Sequence, residues 1–84
     1  MLRIVWLYRH PSNKNTWKEY NSKDTAKLES AWTEYRNDEG TGHLCRLNVG
    51  REGVPVVVSV KAPMYQESPG NDITRDVRRL IEFV

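Results

Sequence analysis

Eighty-four residues suffice for one domain and are too few for two, so 1–84 is read as a single domain with a small core. Apolar residues make up 38% of the chain and charged residues 29%; no apolar run approaches the length of a membrane span, and no secretory signal pattern opens the chain. The net charge of +2 is too weak for the basic face of a duplex nucleic-acid binder, which excludes duplex DNA as the expected partner.

The first run, RIVWLY (residues 3–8), is β-branched and aromatic and predicts a strand. HPSNKN, His10 to Asn15, has the proline, serine and asparagines of a turn. TWKEY then alternates, with Trp17 and Glu19 on one face and Lys18 and Tyr20 on the other, so the two runs form a hairpin. A helix follows. Asn21 is its N-cap, and Asp24, three residues on, faces the free amides and the positive end of the helix dipole. Thr25, Leu28, Trp32 and Tyr35 recur at spacings of three and four, with Ala31 beside them, and make one apolar stripe. Trp32 is therefore expected in the core. Arg36 and NDEGTG end the helix in a polar, glycine-containing loop.

The remainder reads as β-structure. HLCRLNV (43–49) predicts a strand and GREG a turn. VPVVVSV (54–60) predicts another strand whose Pro55 belongs at an edge or bulge. KAP turns the chain into a short MYQE strand, SPGND turns it again, and ITRDVRRLIEFV closes it in an extended run. One helix with a single apolar stripe among several strands is an α+β arrangement.

The chain carries little catalytic chemistry. His10 and His43 stand apart, and the lone Cys45 cannot complete a zinc site or form an internal disulfide, so neither a metal nor another cofactor is expected. Cys45 reads as an inert, buried thiol. Its isolation and the absence of an Asn-x-Ser/Thr acceptor fit a reducing, intracellular compartment, cytoplasm or nucleus. Glu39-Gly40-Thr41-Gly42 is not led into by a strand and does not open a helix, so it is no phosphate loop. Nothing is arranged to split two pKa values as an acid–base pair requires, and the domain reads as a non-enzyme. The remaining constellation is one for binding: Tyr8, Trp17 and Tyr20 from the hairpin, Gln66, and Arg75, Arg78 and Arg79. Aromatic rings stack bases, arginine grips phosphate, and a carboxamide reads hydroxyls or base edges. Aromatics in the core with solvated arginines explain the same pattern equally well.

Five pieces in order resemble the WWE domain family: Trp6 in VWLY, Trp17 in TWKEY, YNSKDTAKLESAW with Glu29, VSVKAPMYQ, and RDVRR. The resemblance covers residues 5 to 79 and implies a curled half-barrel of about six antiparallel strands around one α-helix. It further implies a module that binds poly(ADP-ribose) through its iso-ADP-ribose unit, or an ADP-ribose-modified protein. The family's position beside ubiquitin-ligase or phospholipase-like modules implies an alternative, a protein-interaction adaptor without a nucleotide ligand. Single-stranded RNA is a third candidate for the same aromatics and arginines. Carried over by position, Tyr8 meets the adenine-containing end, Gln66 hydrogen-bonds the ligand and Arg75 pairs with phosphate. Where ligand-binding members carry a tyrosine, this chain has Val57, and its 10–15 loop is longer than in several members. Trp6 and Trp17 are expected to be structural, and Glu29 to face a polar partner near the sheet.

Overall fold

The computed structural model describes residues 1–10, 15–38, 42–70 and 73–84, and among these it has six strands and one helix. The β-branched and aromatic runs become β1 (Leu2–Arg9), β2 (Trp17–Glu19), β3 (Leu44–Val49), β4 (Val54–Ser59), β5 (Tyr65–Ser68) and β6 (Ile73–Phe83). The helix α1 spans Ser22–Asn37. The Asn21 side-chain oxygen accepts the Asp24 amide at 2.8 Å, as its position predicts. At the other end the Asp38 amide still reaches the Glu34 carbonyl at 3.0 Å.

The strands form one antiparallel sheet in the order β2-β1-β6-β5-β4-β3. The last strand in sequence thus lies between the first and the fifth. The helix packs against both β1 and β3, which lie near opposite edges of the sheet, so the sheet curls around it as a half-barrel. Gly50 and Gly53 both take positive φ at the β3–β4 turn, a backbone that residues with a Cβ rarely adopt, and the Gly53 amide closes the turn on the Gly50 carbonyl. Pro55 pairs with Asn48 of β3, whereas β5 pairs only with Val57–Ser59, so its missing amide removes no bond to β5.

Core residues come from the concave side: Trp6, Tyr8, Tyr20, Leu28, Leu47, Val56, Val58, Val60 and Val77. The helical stripe is real, but only Leu28 is fully enclosed within it; Ala31, Trp32 and Tyr35 are half-buried at its margin. Trp32 is therefore not a core residue. It packs at the rim, with the Arg79 guanidinium 3.7 Å and the Arg36 guanidinium 4.6 Å from its ring. Cys45 is half-buried against the core, and that burial pushes its thiol up, as expected for an inert sulfhydryl. The residues 11–14 of the hairpin loop, Glu39-Gly40-Thr41 after the helix, and Asn71 and Asp72 of the last turn lie outside the described residues.

Candidate functional site

The candidate residues meet where β1 ends and β6 begins. Tyr8, one residue from the end of β1, pairs with Lys18 of β2 on one side and Val77 of β6 on the other. Paired residues of antiparallel strands share a face, so Tyr8, Lys18 and Val77 all look inward. Arg75, two residues before Val77, points the same way and pairs with Gln66 of β5. Tyr8, Gln66 and Arg75 accordingly line one pocket of about 240 Å³, together with Lys18, Val49, Gly50, Val54, Val56 and Ser68.

The three side chains differ in freedom. Gln66 is only 3% exposed, and its Oε1 accepts the Tyr20 hydroxyl at 2.5 Å. Burial raises the Tyr20 phenol far above its ordinary value, so it stays protonated and donates. Tyr8 tilts against Tyr20 with ring centroids 4.7 Å apart. Burial also raises the Tyr8 phenol, opposed by the positive charge of Arg75, which lies close enough to act on it. Arg75 is half-buried and has no ion-pair partner among the described residues. A half-buried guanidinium with its donors open suits an anion.

The other members of the expected binding constellation are placed elsewhere. Trp17 points to the convex face, where Arg78 and Arg9 lie 4.2 and 4.6 Å from its ring and Arg9 pairs with Asp76 at 3.1 Å. It cannot share a ligand with Tyr8 across the sheet. Arg79 faces inward but is fully engaged: its Nε donates to Glu29 Oε1 at 2.6 Å and its Nη2 to Oε2 at 3.1 Å. The Trp6 indole N–H, itself wholly buried, donates to the same Oε1 at 2.9 Å. The Arg79 guanidinium, helped by the indole, holds the Glu29 carboxyl below its ordinary value. Trp6, Glu29 and Arg79 therefore clamp the helix to the sheet, and Glu29 has the polar partners expected of it.

Val57, which by the resemblance stands where ligand-binding members carry a tyrosine, does not line the inner pocket. Val56 and Val58 belong to the core face, so Val57 between them points away from the pocket. Val57 instead borders an outer groove of about 420 Å³ with Arg46, Leu47, Asn48, Pro55, Val56 and Pro69, which Tyr8, Gln66 and Arg75 do not line. Val56, 2% exposed, forms the pocket wall. Lys18, Val49, Gly50 and Ser68 are pocket residues that the sequence reading missed. The alternation of TWKEY does place Lys18 on the Tyr8 side once Trp17 is known to point outward.

Among the described residues no group of three or more His, Cys, Asp or Glu side chains is arranged to hold a metal ion, and no helix is long and apolar enough to cross a membrane. A protein-family model described as WWE domain matches residues 4–79. None of the curated proteins and none of the solved structures matches the chain.

Proposed function

The chain belongs to the WWE domain family, a family of recognition and interaction modules rather than catalysts, and from that premise we propose that it binds an ADP-ribose-type ligand, such as the iso-ADP-ribose unit of poly(ADP-ribose). The observation that carries this reading is the convergence of Tyr8, Gln66 and Arg75 on one pocket, with Arg75 lacking a carboxylate partner among the described residues. Arg75 supplies charge for a phosphate, Gln66 a carboxamide whose N–H groups are left free by the Tyr20 bond, and Tyr8 the aromatic surface beside them. Its partners are then poly(ADP-ribose) or an ADP-ribose-modified protein, met inside the cell, and its place in the ubiquitin pathway follows from what such a module would sit beside.

Titration with iso-ADP-ribose, ADP-ribose and a short single-stranded RNA, followed by backbone amide shifts, tests this. The expected result is saturable shifts around Tyr8, Gln66 and Arg75 with iso-ADP-ribose. Arg75→Ala should weaken that binding roughly ten- to a hundredfold, the equivalent of one charge-assisted hydrogen bond, with the fold intact. No shift at millimolar iso-ADP-ribose would leave the protein–protein adaptor, positioning a ubiquitin-ligase or phospholipase-like neighbour, as the function.

A further inference from the structure

The pocket does not stop at Tyr8. It shares Tyr8, Lys18, Val49 and Gly50 with a second pocket of about 190 Å³ that reaches Tyr20, Asn21 and Asp24 at the start of α1. The two form a groove with unlike ends. Charged residues lining the first are Arg75 and Lys18, with no carboxylate; those lining the second are Lys18, Asp24 and Glu19, the last of which is paired with Arg3. An anion is thus attracted to one end and disfavoured at the other.

Asp24 is the unusual member. Its backbone amide completes the helix cap, and a carboxylate at this position also favours the helix dipole. Neither role requires burial. Yet Asp24 is only 6% exposed, and its carboxylate accepts no hydrogen bond among the described residues while lining an open cavity. No described residue donates to this carboxylate and neither of its oxygens is sealed from solvent, so the open cavity is where a donor can reach it.

We propose that Asp24 sets the direction and selectivity of the ligand by accepting hydrogen bonds from neighbouring hydroxyls of a ribose, while the phosphate-bearing end lies at Arg75. A carboxylate has two oxygens and accepts only, which matches two adjacent O–H donors and rejects phosphate. This rests on the ADP-ribose reading and deepens it: Asp24 is a specificity-determining residue at the end of the groove opposite the cation.

The test compares wild type, Asp24→Asn and Asp24→Ala, titrated separately with iso-ADP-ribose and inorganic pyrophosphate, with amide shifts and thermal melting recorded for each. Asp24→Asn keeps the size of the side chain and guards against a merely structural effect. Both variants should bind iso-ADP-ribose about tenfold or more weakly, as for loss of a hydrogen bond to a charged group. Pyrophosphate, which has no ribose, should bind them as well as or better than wild type. Unchanged iso-ADP-ribose affinity, or an equal loss for both probes, overturns the assignment of Asp24 and leaves the proposed function standing. Failure of wild type to bind iso-ADP-ribose removes both.

Discussion

Tyr20 and Gln66, 46 residues apart, are joined by a 2.5 Å hydrogen bond in which the tyrosine donates to the carboxamide oxygen. The bond ties the end of the hairpin to β5 and fixes which edge of Gln66 faces the pocket: oxygen toward Tyr20, amide hydrogens toward any ligand. Tyr20→Phe should cost about 1–3 kcal/mol, because a buried carboxamide oxygen loses its donor. It should also weaken ligand binding several-fold by freeing Gln66 to turn. Chemical denaturation and titration with iso-ADP-ribose measure the two effects on the same sample.

Glu29 should matter to stability rather than to binding. Glu29→Ala strands the Trp6 N–H and the Arg79 guanidinium, whose side chain is 17% exposed; a loss of about 2–4 kcal/mol is expected. Glu29→Gln retains one acceptor and should cost less. The pH dependence has a definite sign. The folded-state pKa of Glu29 is lowered, so its contribution is complete above the unfolded value and disappears as pH falls through the folded one. The stability gap between wild type and Glu29→Gln should therefore narrow from neutral pH into the acid range. A gap that widens in acid would contradict the clamp.

The three tryptophans should separate cleanly on truncation. Trp6→Ala, at a fully buried site, should cost about 3–5 kcal/mol and leave a domain this small largely unfolded. Trp32→Ala removes a rim residue held between two guanidinia. It should cost only about 1–3 kcal/mol, since part of its surface is already in water and each cation–π contact adds roughly a kcal/mol or less. Trp17→Ala should leave iso-ADP-ribose affinity unchanged. Melting temperatures of the three variants, with a titration of the last, check the ordering.

Val56 and Val57 offer a paired test of the strand's facing. Val56→Tyr places a phenol in the pocket wall and should change iso-ADP-ribose affinity, at a cost of about 1–3 kcal/mol for overpacking. Val57→Tyr puts the same group on the outer face and should leave affinity unaltered. Equal effects on binding would mean that the alternation of β4 is misassigned.

Local features of the sequence were legible because local chemistry decides them. The Asn21 cap needs only its own helix, and every expected strand is present within a residue or two of its expected bounds. What escaped were statements about facing and neighbours. In a strand, successive side chains point to opposite faces, so the neighbours Val56 and Val57 lie on different sides of the sheet. The period of Thr25, Leu28, Trp32 and Tyr35 marks a stripe but not how far the sheet extends over it, so Trp32 reads as core while lying at the rim. Trp17 and Tyr8 read as one group because both are aromatics of the same hairpin, although they sit on its opposite faces. Lys18 and Asp24 become groove residues only when the curl brings the Gly50 turn opposite them, a long-range consequence that no window of the sequence contains.

The insertion of β6 between β1 and β5 also makes the whole sheet depend on one strand. Without Ile73–Phe83 the sheet would be two pieces, the β1–β2 hairpin and the β3–β4–β5 meander, with no strand between them. Pairing β1 with β6 closes a loop of nearly the whole chain, from Leu2 to Phe83, which is an entropically slow step. Tyr8 arrives with the first fragment, Gln66 with the second and Arg75 with the joining strand. A pocket lined by all three therefore exists only while β6 is paired along both of its edges, and loss of that one strand would take the pocket apart.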